Sequence, residues 1–222
     1  MAHATATTRV TSRRYSRRMR TITVAARGAV STRPDTATVS LGVAVLAKTA
    51  GDALRLAAER AATLIETVKS AGVADDDIQT SGLSLYPQYA DQNRKVIGYN
   101  VSNNVTVRVR QIDNVGAVVD AAARDVGDEI TIGGIAFSIE DDEAAVEQAR
   151  AAAMADARHR ADQYSAAAGG TTGPIVAIDE TVDRGFQPLP GGPRKMALAA
   201  ATPIQAGTQD VVVNVSVTFE LT

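Results

Sequence analysis

A chain of 222 residues that is 45% hydrophobic is long enough for a sizeable core, which excludes wholesale disorder, while 4% aromatics and no tryptophan make that core one of small aliphatic side chains. The absence of cysteine removes disulfides, thiol nucleophiles and thiolate metal sites, and the two histidines, His3 and His159, do not supply an ordinary zinc site. The formal net charge of −2 conceals a division: residues 1–34 carry eight arginines and no acid, so all 25 acidic residues lie in the rest of the chain.

The chain opens on this basic segment, and residues 1–20 are expected to form a disordered arm. Arg9, Arg13, Arg14, Arg17, Arg18 and Arg20 are its candidate contacts for an acidic partner, nucleic acid or an anionic membrane surface. The segment lacks the apolar run of about 7–15 residues that a secretory signal needs, and nothing reaches the roughly 20 apolar residues of a membrane-spanning helix. A cytoplasmic protein with no transmembrane segment is expected.

Apolar residues recur at every second position over 21–33 and 36–47 (Ile22, Val24; Val39, Leu41, Val43, Val45), giving a pair of strands around the Pro34-Asp35 turn. From Ala50 to Ala71 the period becomes helical, with Leu54, Ala58, Ala61, Leu64, Ile65 and Val68 on one face and Gly72 at the capping position. Two strands, about 78–90 and 95–110, follow as a hairpin closed by residues 91–94, with a bulge expected at Ser102-Asn103-Asn104. A helix over about 112–126 and a strand over 132–139 complete the series.

Strand, helix, strand, strand, helix, strand over 36–139 is the order of a split βαβ, or ferredoxin-like, unit. The fold class is therefore α+β: an antiparallel sheet with a ferredoxin-like core, an added long alanine-rich helix and extra N- and C-terminal strands. Helices on one face of such a sheet leave the other open, which calls for an extra element or another subunit. The long helix, about 141–168 and roughly 40 Å in length, is a candidate cover, because Ala145, Ala149, Ala152, Ala153 and Ala157 permit close approach.

A short strand is expected at about 175–180. Residues 185–207 form a Pro/Gly loop with too many apolar side chains for a simple linker. Phe186, Leu189, Met196 and Leu198 in this loop, with Tyr86 and Tyr89 on the hairpin, are the candidate contacts between copies of the chain. The C-terminal strand, 209–221, presents Val211, Val213, Val215, Val217, Phe219 and Leu221 on one face and requires a sheet to support it.

Five blocks in order, VSTRPDTATVSLGV at 30–43, DIQTSGLSLYPQY at 77–89, GYNVSNNVTVRVRQIDNVGAVVDAA at 98–122, GGIAFSIED at 133–141 and ARAAAMADARHRADQYSAAAG at 149–169, together with PIQAGTQDVVVNVSVTFEL at 203–221, resemble the SIMPL-domain family over nearly the whole chain from residue 20. One vertebrate member associates with a pelle-like kinase, and bacterial members include exported, immunogenic or stress-associated proteins. The resemblance implies a single SIMPL domain over 21–222, a homo-oligomer in the manner of ring-shaped relatives, a role in stress or at the cell envelope, and no catalytic motif or cofactor.

Asp75-Asp76-Asp77 and Glu140-Asp141-Asp142-Glu143 are the two carboxylate clusters that a metal-dependent hydrolase could use. The first falls in a turn and the second at a helix start, where acids satisfy exposed amides, so structural roles outweigh catalytic ones. The glycine pairs at 133–134, 169–170 and 191–192 match no nucleotide-binding spacing, and no serine lies in a nucleophile-elbow context. The sequence thus favours a non-enzymatic, self-assembling protein, with binding through the arginine arm as the alternative.

Overall fold

The computed structural model describes residues 20–90, 95–183 and 202–222. Its elements in chain order are β1 (Thr21–Thr32), β2 (Thr36–Ala47), α1 (Ala50–Ser70), β3 (Ile78–Tyr89), β4 (Val96–Val109), α2 (Val115–Val126), β5 (Ile130–Ser138), α3 (Glu143–Ala167), β6 (Thr172–Asp183) and β7 (Gln209–Leu221). The mixture of helices and antiparallel sheets is the expected α+β class. The strands divide into two sheets, β3-β4-β2-β5 and β1-β7-β6, with every neighbouring pair antiparallel.

In the four-stranded sheet, α1 connects β2 to β3 across the intervening β4, and α2 connects β4 to β5 across β2. The alternating valines set one face: Val39, Leu41 and Val43 of β2 meet Val105 and Val107 of β4 and, from above, Leu64, Val68, Val115 and Val118 of the helices. Thr49 caps α1 by accepting the Asp52 amide at 3.1 Å, and Gly72 ends the helix at φ +95°, a left-handed conformation that favours glycine. The buried stripe of α1 runs through Ala53, Ala57, Ala61 and Leu64, one position away from the expected Leu54 and Ala58, which are both exposed. Alanines on both stripes blur the helical period, and the helix settles with its smaller side chains against the sheet.

The three-stranded sheet has its own core, and here three expectations are corrected. β1 and β2 flank the Pro34-Asp35 turn but do not pair: β1 runs along β7 from Thr21↔Glu220 to Thr32↔Gln209, while β2 lies between β4 and β5. The alanine-rich helix α3 covers this smaller sheet instead of the open face of the larger one, packing on β1 and β7. Its stripe Ala149, Ala153, Ala157 and Ala161 is fully buried, facing Val213, Val215, Val217 and Phe219. The approach is close enough that a Cβ at Gly28 of β1 would lie 1.9 Å from the Ala149 carbonyl oxygen and 2.6 Å from the Ala153 nitrogen, which is why alanine spaced by four, and not leucine, builds this face. Finally, the irregularity expected at Ser102-Asn103-Asn104 lies on the partner strand: β4 stays regular against β2, and the register slips on β3 between Thr80 and Gly82. The strand expected at about 175–180 is longer, Thr172–Asp183.

Candidate interaction surface

The two helices of the larger unit sit over β2 and β4, so the outer strand β3 projects beyond their cover and its second edge carries no partner strand among the described residues. Leu83, on the helix side of β3 and opposite Asn103, is consequently 62% exposed, although Val101, two positions along β4 on the same face, is buried. Towards the hairpin end, Tyr89, Val96 and Ile97 are exposed too, and Tyr86 stands at 68%. Exposed apolar side chains on β3 and on the adjoining start of β4, next to the free edge of β3, make this end of the sheet the candidate interaction surface. The edge is also restrained: the slip at Ser81 and the proline at 87 interrupt a straight run of backbone donors. β6 is a second exposed edge, with Ile175, Val176 and Ile178 near half exposure.

Of the contacts expected from sequence, Tyr86 and Tyr89 are thus brought to the surface on the same strand. Phe186, Leu189, Met196 and Leu198 lie outside the described residues, as do Arg9, Arg13, Arg14, Arg17 and Arg18. Arg20 is described; its side chain is exposed and its carbonyl accepts the Leu221 amide at 2.8 Å.

The two acidic clusters meet around a single cation. Arg110, just past β4, donates from Nε and Nη2 to the two carboxylate oxygens of Asp77 at 2.7 and 2.9 Å and from Nη1 to Glu140. Asp77 is buried, and the Arg110 hydrogen bonds hold its carboxyl below the usual carboxylate range against the opposing cost of burial; the same contacts raise Arg110. The Glu140 amide in turn donates to Asp35, whose side chain also accepts from Thr36. This network ties the start of β3, the end of β4 and both chain crossings between the sheets, a fastening that separate clusters in the sequence do not reveal. Elsewhere Asp75 pairs with Lys69 and Asp141 accepts the Glu143 amide at 3.0 Å. Among the described residues, no three His, Cys, Asp or Glu side chains converge in a way that could hold a metal ion.

Comparison with known proteins follows the same boundaries. The family model SIMPL, described as a protein of unknown function (DUF541), matches residues 22–219, both sheets included. The 26 kDa periplasmic immunogenic protein of Brucella melitensis is 35% identical over 214 residues, spanning 90% of this chain and 84% of that protein. The uncharacterized protein YggE of Escherichia coli K12 is 31% identical over 78% of this chain and 69% of its own length, and that of Edwardsiella ictaluri 28% identical over 71% and 66%. The Brucella protein overturns the cytoplasmic expectation. That expectation rested on the lack of an apolar signal run in the N-terminal segment, whereas the similarity to a periplasmic protein extends through the folded body and points to export.

Proposed function

The chain belongs to the SIMPL family, and from that membership we propose that it is an exported, non-enzymatic protein of the cell envelope that works as a homo-oligomer, joined through the hairpin end of β3 and β4. The observation that carries this reading is the uncovered apolar group Leu83, Tyr89, Val96 and Ile97 beside the free edge of β3. An apolar group of this kind gains about 25 cal/mol for each Å² it removes from water, and a second copy is the partner always present at matching concentration. The relatives are named as immunogenic or uncharacterized proteins and none as an enzyme, which supports the non-enzymatic part. Export is supported by the periplasmic name of the Brucella relative.

Absolute mass by light scattering on a sizing column, at low and high salt, tests the assembly. A single species of several subunits that persists in high salt is expected, since apolar contacts are not screened. Tyr89→Ser combined with Ile97→Ser should shift it to smaller species without changing the far-ultraviolet circular dichroism. A wild-type monomer at micromolar concentration refutes the reading.

A further inference from the structure

The face of the four-stranded sheet opposite its helices is open, and it is built differently from an ordinary solvated sheet face. At its centre is a depression of about 600 Å³ whose polar lining is Ser40, Ser81, Ser84, Ser102, Asn104 and Thr131. No Asp, Glu, Lys or Arg lines it, although 22% of the chain is charged. The depth comes from glycine. A Cβ at Gly42 would lie 2.6 Å from the Asn104 side-chain oxygen and 2.8 Å from Thr131 Oγ1, and one at Gly82 would reach 3.6 Å from Asn104 Nδ2. The Asn104 carboxamide therefore lies flat along the floor between two bare backbone positions. None of the six polar side chains is hydrogen-bonded within the described residues.

Five hydroxyls and one carboxamide, each able to donate and accept, converge on a volume suited to a small ligand. The absence of cations disfavours phosphate and carboxylate ligands, and an apolar lining limited to Leu41 and Ile132 is too small to enclose lipid chains. Two positions along β3 from Ser84, and so on the same face, Tyr86 presents a ring that is 68% exposed, opposite Asn100 in the strand register. A flat aromatic beside uncharged donors and acceptors is complementary to a ring that carries hydroxyls at its rim and C–H groups on its face. We propose that this shelf binds neutral saccharides, with Tyr86 stacking on a sugar ring and Ser84, Ser102, Asn104 and Thr131 taking its hydroxyls. The proposal goes beyond the assembly reading and is independent of it: Tyr86 is given to the shelf, and Tyr89 with Ile97 to the contact between copies.

Three uncharged probes test it: tetraacetylchitotetraose, cellotetraose and maltotetraose, each titrated against the full chain by calorimetry and by saturation-transfer NMR, a method that suits large assemblies. Saturable binding of at least one, on the order of millimolar, is the expected result. Tyr86→Ala and Asn104→Leu should each weaken it about five- to tenfold, while Tyr164→Ala, an exposed aromatic on α3, leaves it unchanged. Light scattering and thermal melting of the same variants separate loss of the site from loss of assembly or fold. Because the chain has no cysteine, Ser84→Cys gives a unique handle on the shelf, and its maleimide labelling in the native protein should be complete. Failure of all three probes at about 10 mM, binding that survives both shelf variants, or a Ser84→Cys thiol shielded by a second copy would each overturn the proposal.

Discussion

Replacing Gly28 by alanine adds one methyl group to a site where none fits. The new Cβ would stand 1.9 Å from the Ala149 oxygen and 2.6 Å from the Ala153 nitrogen, whereas a carbon and a carbonyl oxygen approach to about 3.3 Å. Both obstructing atoms belong to the helix backbone, so no rotamer change relieves the clash, and α3 must retreat by about 1.4 Å. A gap of 0.5–1 Å already forfeits about a quarter to a half of a dispersion contact, and the retreat opens one along the fully buried Ala149, Ala153, Ala157 and Ala161. The expected cost is about 3 kcal/mol, the upper end for overpacking by one carbon, or a fall in Tm of about 6–12 °C for a chain of this length. Chemical denaturation followed by circular dichroism measures it. Gly51→Ala in the first turn of α1, where a Cβ meets nothing within 4 Å, serves as the control and should stabilise by about 0.5 kcal/mol. A Gly28→Ala protein within about 0.5 kcal/mol of the wild type would refute the reasoning that close backbone approach seats this helix.

Phe219, wholly buried and beneath the Arg158 guanidinium at 5.5 Å, should cost about 3–5 kcal/mol as Phe219→Ala in the same denaturation assay. The Asp77 carboxyl is held low by Arg110, so its folded pKa lies beneath its unfolded one. Its contribution is present above about pH 4 and is lost as pH falls through the folded value. Arg110→Gln should therefore destabilise the protein at pH 7 and flatten the acid limb of a stability profile between about pH 4 and pH 2; an unchanged limb counts against the network. For the arginine arm, removal of residues 1–20 should abolish any binding to anionic vesicles or nucleic acid, and that binding should weaken steeply with salt in the intact chain; equal binding by both proteins excludes the arm. Fractionation of the producing cells should recover the protein outside the cytoplasm, and recovery with a cytoplasmic marker would count against export.

Much of the chain order is legible in sequence because periodicity reports which residues are buried. Helices and strands of the larger unit fall where Val39, Leu64, Val105 and Val118 put them, and β7 where Val211 to Phe219 do. Periodicity does not report against what a face is buried. The alternation of β1 is satisfied equally by β2 or by β7, some 180 residues later, and only the length and small-residue face of α3 decide that a second sheet exists. The same limit applies to function. Tyr86 and Tyr89 are conspicuous as aromatics on a polar hairpin, and both are exposed. The shelf is invisible, because Ser40, Ser84, Ser102 and Thr131 become neighbours only once the strand order β3-β4-β2-β5 is known.

That strand order also separates the work of the two units. In the β1-β7-β6 unit the helix is seated so closely that the layer between it and β1 has no room for a ligand, and what it contributes is cohesion. The larger unit leaves one sheet face and one strand edge open, with its uncharged depression across all four strands and its apolar hairpin on β3 and β4. Interaction should therefore respond to substitutions in the larger unit, and global stability most strongly to those in the smaller. Tyr89→Ser with Ile97→Ser is expected to change assembled mass and to lower Tm only by what assembly contributes, because within the single chain both side chains are about half exposed. Gly28→Ala is expected to lower Tm while the protein that remains folded keeps the wild-type mass. Measuring mass and Tm on the same two variants separates these effects: if Gly28→Ala alters the mass below its melting temperature, or the hairpin variant melts like a core mutant, the division between a scaffold unit and an interacting unit is wrong.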